Sequence, residues 1–356
     1  MKKINYFLRC VVMSIGIISF GGVAIPEDDS AAYARADFRI LCLGDSMTAK
    51  GGDRSYPSQL ERILNEKGKG VRFRVINEGK AEGATSDIAA ALPGQIKRYS
   101  PNMIVVMAGI NDGQRPADYS PFTRLGWSYK EKGDRPAAIG SFRKAITLDP
   151  RGYREHTEFG IFYLKSGDFK EAEALLRQAI AINDKEDEAY IVLGWCYLGQ
   201  NMFSEAETAF KKAATLNPRN PNILAALAVL CEQKGDHDRA QGYYAKADLL
   251  RGSYVDPGIR RDFKRIKDIA ARQRIPLVCA QYPMRSLALL KKMFDGPEKK
   301  VIFVDNEKRF KDGVRQEGYL AYFEDMFAGD FGCCTAKGNN LLADTVAASI
   351  LNYYSS

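Results

Sequence analysis

The sequence predicts a three-layer α/β domain on a five-stranded parallel sheet, interrupted by an all-α helical solenoid. Three observations carry this reading. Short apolar runs at 38–43, 71–77, 102–108, 276–283 and 301–305 end in polar or glycine-rich loops, with helical periodicity between them, the grammar of a parallel sheet. After the third run the strand signal stops, and a pattern of small and aromatic residues recurs every 34 residues. Beyond residue 254 the strand-and-helix alternation resumes, with a basic amphipathic helix at 259–272 and a closing helix at 341–353, so one α/β domain is split in sequence by an insertion.

The length of 356 residues, with 46% hydrophobic and 27% charged content, describes a globular chain of two domains. The net charge of +8 is spread among acidic residues without a long basic run, which reads as a solvated surface and no nucleic-acid partner. Met1-Lys2-Lys3 precedes an apolar run at 10–25, the pattern of a secretory signal. Gly22-Val23-Ala24 or Ala32-Tyr33-Ala34 could be the cleavage site, and an uncleaved membrane anchor is the alternative. Residues 1–34 are assigned to signal peptide or anchor, and the protein is expected to be exported, periplasmic or membrane-anchored. Arg9 before Cys10 argues against a lipoprotein. The cysteines at 42, 196, 231, 279, 333 and 334 lack metal-site spacing; Cys42 and Cys279 sit in strand-like runs as small hydrophobes.

The first strand leads into Gly44-Asp45-Ser46-Met47-Thr48, and a helix begins near Pro57. A serine at such a turn stands at the C-terminal edge of a parallel sheet, where open α/β folds place their ligands, so Ser46 is the candidate nucleophile. The plainer reading of Asp45-Ser46 is a helix N-cap. The second strand ends in Asn77-Glu78-Gly79, and a glycine just past a strand lets the backbone approach a substrate and aim its N–H. The third ends in Gly109-Ile110-Asn111-Asp112. An asparagine amide can donate to the oxyanion formed when Ser46 attacks an acyl carbon, and losing one such donor costs on the order of 100- to 1,000-fold.

These blocks resemble those of the SGNH/GDSL hydrolases: Gly-Asp-Ser-x-(Thr/Asn), Asn-x-Gly-x-x-Gly-x-Thr with one extra residue between the glycines here, and Gly-x-Asn-Asp. The family's last block, Asp-x-x-His followed by Thr or Asn and a Gly, is matched by Asp330-Phe331-Gly332-Cys333 with Thr335 and Gly338. Cys333 stands in the histidine slot, and neither histidine of the chain, His156 or His237, lies in the α/β part. The resemblance implies a flavodoxin-like three-layer α/β/α fold and ester hydrolysis through an acyl-enzyme on Ser46. The Ser46 N–H, Gly79 N–H and Asn111 side chain would hold the oxyanion, Asp330 would orient the base, and no metal or organic cofactor is required.

The missing imidazole matters because a serine hydroxyl is a poor nucleophile until a base takes its proton, and the same base must later protonate the leaving group. A thiol ionising near pH ~8.5 cannot repeat that shuttle efficiently, so weak hydrolysis at best is expected. Three readings stay open: a sequence error or isolated variant in an active lineage, a poor site using Asp330 or a Cys333 thiolate as base, and a pseudoenzyme that binds ligands without turnover.

The 34-residue pattern runs Gly126, Tyr129, Ala138, Phe142, Ala145; Gly160, Tyr163, Ala172, Leu176, Ala179; Gly194, Tyr197, Ala206, Phe210, Ala213; and Ala228, Cys231, Ala240, Tyr244, Ala247. Turn residues lie between the two helices of each copy, at 132–134, 166–168, 199–201 and 234–236. The pattern resembles the tetratricopeptide (TPR) repeat, which implies a concave face for a protein or peptide partner. His156 and His237 both fall in these repeats and are assigned to solvent-exposed surface. The division is therefore 36–118 and 255–356 for the hydrolase domain and 119–254 for the repeats. Export and the lack of an apolar lid favour small acyl esters on carbohydrate or envelope material as substrate.

Overall fold

The computed structural model describes residues 38–68, 70–81, 83–112, 120–253, 256–294, 301–325 and 331–355. The proposed signal or anchor segment and Asp330 lie outside the described residues. No helix among the described residues is long and apolar enough to cross a membrane.

Five strands form one sheet: β1 (Phe38–Gly44), β2 (Phe73–Asn77), β3 (Met103–Met107), β4 (Leu277–Ala280) and β5 (Val301–Val304), in the order β2-β1-β3-β4-β5 with every pairing parallel. This is the flavodoxin-like order, and its reversal beside β1 opens a crevice at the C-terminal edge between β1 and β3. A one-turn helix α1 (Ser46–Ala49) follows β1 directly, then α2 (Tyr56–Lys67) and, after β2, α3 (Thr85–Tyr99). From Ile40 to Gly44 β1 is buried on both faces, as its apolar run Ile40–Leu43 requires. Ile40 and Cys42 pack in one cluster with Tyr56 and Leu60 of α2 and with Leu342 and Val346, which lie in the C-terminal helix Ala336–Ser355.

Among the described residues eight helices lie between β3 and the crossover helix that leads into β4: α4 (Pro121–Glu131), α5 (Arg135–Leu148), α6 (Tyr153–Lys165), α7 (Phe169–Ile182), α8 (Asp187–Gly199), α9 (Phe203–Leu216), α10 (Pro221–Gln233) and α11 (His237–Ser253). They pack as consecutive antiparallel pairs for a definable reason. A Cβ at Gly126, Gly160 or Gly194 would lie within 3 Å of Phe142, Leu176 or Phe210 of the paired helix, so the small residue makes room for the large one. Ala138, Ala172, Ala206 and Ala240 are fully buried at the crossings. The turns inside the pairs place Gly133, Gly167 and Gly235 at φ near +78°. In the third pair Asn201 takes that position at φ 60°, a conformation asparagine tolerates best among residues with a side chain.

The chain then returns through α12 (Pro257–Arg272), which packs on α3, to β4, α13 (Leu287–Lys291), β5, α14 (Glu307–Glu317) and α15 (Ala336–Ser355), which packs on α2. Helices thus cover both faces of the sheet. The stretch from α14 to Asp325 lies against the repeats: Arg315 reaches Glu232 of α10 at 3.3 Å, Tyr319 lies against Trp195 of α8, and Asp325 approaches Lys165 of α6 at 4.0 Å. First helices of three repeats are therefore already occupied in part by the chain's own segment.

His156 corrects a sequence expectation. It is buried rather than exposed, because its ring Nδ1 pairs with the Gly152 carbonyl one turn earlier at 2.8 Å. His237 is partly exposed and pairs with the buried Glu232. Cys42, Cys196, Cys231, Cys279, Cys333 and Cys334 are free thiols.

Candidate active site

β1 ends in a turn whose geometry is set by close packing. A Cβ at Gly44 would stand 2.4 Å from the Met107 carbonyl oxygen of β3, so only glycine lets β1 turn there. Asp45 is fully buried and caps α1: its Oδ1 accepts the Met47 N–H at 2.9 Å. Its Oδ2 accepts from the Tyr282 hydroxyl, whose oxygen in turn accepts the Ile110 N–H at 3.2 Å. Tyr282, which sequence patterning did not single out, thereby ties the turn that carries Ser46 to the loop after β3. The N-cap reading of Asp45 and the placement of Ser46 at the sheet edge are thus both met by one turn.

Burial pushes the Asp45 carboxyl up to about 6, against the lowering effect of the Tyr282 hydrogen bond. The folded state then binds a proton that the unfolded chain has already lost, so stability falls as pH rises from about 4 to about 6, by up to about 3 kcal/mol. Urea unfolding at pH 4.5 and 7.5 checks this. Asp45→Asn, which keeps the Oδ1 cap, is expected to flatten the difference between the two conditions.

The second block buttresses that turn. Asn77 donates its amide to the Thr48 carbonyl at 2.9 Å, and a Cβ at Gly79 would lie 2.5 Å from the Ala49 nitrogen. The Gly79 N–H is itself taken by Asn77 Oδ1 at 3.0 Å, so a ligand oxygen would have to displace that acceptor to use it. Asn111 donates to the carbonyls of Gly83 and Ala81 at 3.3 and 3.5 Å, long bonds that a better acceptor can replace. Its neighbour Asp112 anchors the start of α3 by accepting from the Thr85 N–H at 3.1 Å and its hydroxyl at 2.6 Å.

Cys333 is delivered by a short antiparallel contact. Phe323 bridges to Cys334, the Glu324 N–H reaches the Cys333 carbonyl at 2.8 Å, and the Thr335 N–H reaches the Tyr322 carbonyl at 3.0 Å. This places Cys333 and Ser46 in the wall of one cavity of about 50 Å³, together with Lys50, Arg54 and Glu324. Among the described residues the Ser46 hydroxyl has no hydrogen-bond partner. Asp325, absent from the sequence reading, accepts the Cys333 N–H through Oδ1 at 2.8 Å.

The Cys333 thiol is pushed up to about 11, first by burial and then by the Asp325 charge and hydrogen bond, with Lys50 and Lys165 pulling the other way. At neutral pH only about one thiol in 10⁴ is then ionised. The cavity thus pairs the Ser46 hydroxyl with a protonated thiol rather than a base.

A sequence model described as the GDSL-like Lipase/Acylhydrolase family matches residues 42–240. An arylesterase of Vibrio mimicus is 33% identical over 88 residues, which are 24% of this chain and 43% of that protein, so the chain spans less than half the length of this curated relative. Solved structures with some likeness include a crystal structure of MamA, at 23% identity and TM-score 0.33 over 42% of this chain and 85% of that one. Another is MamA 41-end from Desulfovibrio magneticus RS-1, at 20% identity and TM-score 0.35 over 58% and 99%. At these scores the likeness carries no argument, and the repeat reading stands on the residue pattern and the helix pairs.

Proposed function

Because the chain belongs to the GDSL-like lipase/acylhydrolase family, we propose that Ser46 is the acyl-accepting nucleophile of an ester-hydrolase site whose turnover is held down by the absence of a general base. The observation that carries this reading is the shared cavity of Ser46 and Cys333 at the C-terminal edge of the sheet. In the proposed reaction the Ser46 oxygen bonds to the acyl carbon, the ester C–O bond breaks, and the Ser46 proton passes through water to the leaving alkoxide in place of an imidazole; a second water then cleaves the acyl–Oγ bond, releasing the acid and returning a proton to Ser46. The Ser46 N–H, the Asn111 amide and the Gly79 N–H, once released from Asn77, are the proposed oxyanion donors. Asp330 keeps its proposed orienting role for any base at position 333.

The substrate class we propose is a small acyl ester on exported carbohydrate or envelope material, met outside the cytoplasm. The repeats would recruit a protein or peptide partner on the first-helix surface left open beside the 315–325 segment. A second reading, a binding protein without turnover, is favoured by one observation: a buried thiol, that of Cys333 beside Asp325, stands in the Ser46 cavity where the family places its base.

A fluorophosphonate probe tests the first reading. Slow labelling of the folded parent that disappears in Ser46→Ala is expected. No labelling of either the parent or Cys333→His would overturn the nucleophile assignment.

A further inference from the structure

We propose that Tyr282 is a positioning residue of the hydrolase site, a further block at the end of β4 whose hydroxyl fixes the Ser46 N–H against the Asn111 amide; this rests on Ser46 being the site of attack. The ring is buried, and both capacities of its hydroxyl are used. Its proton goes to Asp45 Oδ2, one residue before Ser46, and its oxygen accepts the Ile110 N–H at 3.2 Å, one residue before Asn111. The same ring stacks on Phe331, two residues before Cys333, with centres 5.2 Å apart and planes 18° from parallel. Arg285 lies over the Phe331 ring at 4.9 Å. Three of the four loops that the family resemblance assigns to the site thus meet on one side chain, which comes from a strand end that it does not assign.

Tyr282 is itself firmly held. Its N–H is bonded to Gln281 Oε1 at 2.8 Å, Gln281 donates its amide to the Ser286 carbonyl at 2.8 Å, and the fully buried Asn306 donates to the Gln281 carbonyl at 2.5 Å. Met284, two residues on, is buried at φ 65°, a left-handed conformation that persists in such a residue only where the surroundings over-determine it. This rigidity has a chemical use. An oxyanion is stabilised when its donors converge on one point at about 2.7–3.1 Å, and a misplacement of about 1 Å can cost about 10²-fold. The Ser46 N–H and the Asn111 amide come from loops after different strands, β1 and β3, and the Tyr282 hydroxyl is bonded to the residue before each. Removing it leaves a buried Asp45 oxygen without its donor and the Ile110 N–H without its acceptor, so both loops relax toward other partners.

The test measures inactivation of the full chain by a fluorophosphonate probe, which separates binding (KI) from bond formation (kinact). Tyr282→Phe keeps the ring and its stack on Phe331 and removes only the hydroxyl. It is expected to lower kinact by about tenfold or more while KI stays within about twofold, because the donors act on charge that develops only as the bond forms. A second readout needs no reaction. The NMR signals of the Ser46 N–H and the Asn111 side-chain amide should shift in Tyr282→Phe, although neither group is bonded to Tyr282. Asp45→Asn, which changes the same link from its other end, is expected to lower kinact likewise and takes over if Tyr282→Phe does not fold. An unchanged kinact in the folded variant, a KI that moves as far as kinact, or amide signals that stay in place each overturn the proposal. A parent that the probe never labels, with both amides shifted in Tyr282→Phe, removes the hydrolase reading and leaves the two donors positioned by Tyr282.

Discussion

Cys333→His is expected to gain esterase activity of about 10²- to 10⁴-fold over the parent, the range that a positioned general base contributes. The backbone at 333 is already held where a base is needed: paired with 323–325, with its N–H fixed on Asp325, and lining the cavity of Ser46. An imidazole there would find the Asp325 carboxylate beside it and, by the family pattern, Asp330 three residues earlier. The gained rate should rise with pH through the ordinary imidazole range near ~6.5, because only the neutral ring accepts the Ser46 proton. Ser46→Ala in the same background should return the rate to that of the parent. A folded Cys333→His chain with no gain would mean that the site lacks more than its base.

Gly44→Ala is expected to cost about 3 kcal/mol or more and to abolish labelling of Ser46, a large effect for one methyl group. Its Cβ would meet Thr48 Oγ1 at 2.2 Å and the Met107 carbonyl at 2.4 Å, and the second of these is backbone inside the β1–β3 ladder. The hydroxyl can rotate, but the carbonyl cannot move without parting the strands that position Ser46. Gly94→Ala is the matched control. Gly94 lies inside α3 with open space where its Cβ would stand, so alanine there should stabilise by about 0.5–1 kcal/mol. Chemical unfolding of the two variants should thus shift in opposite directions.

What the sequence made legible is what local rules govern. Period, turn residues and small-to-large pairing are written within one repeat, so Gly126 facing Phe142 and Gly194 facing Phe210 follow from spacing alone. The glycine-bearing strand ends are equally local, and they placed Ser46 at the sheet edge. Asp325 and Tyr282 escaped because they reach the site from separate elements, joined to it only by tertiary contacts with Cys333 and Asp45. His156 was misjudged for a related reason. Its position near a helix start suggests exposure, but the face it occupies turns inward. The hydrogen bond that occupies the Gly79 N–H depends on the rotamer of Asn77, which no spacing rule fixes.

The central claim is that this hydrolase site has its nucleophile and lacks its base, and the turnover of p-nitrophenyl acetate by the parent beside Ser46→Ala tests it most directly. The two rates are expected to lie within about tenfold of each other, since a serine without a base gives little over background. A parent turning over near the ordinary enzymatic rate of ~10 s⁻¹, with that rate lost in Ser46→Ala, would show that Ser46 has a working base and contradict the account.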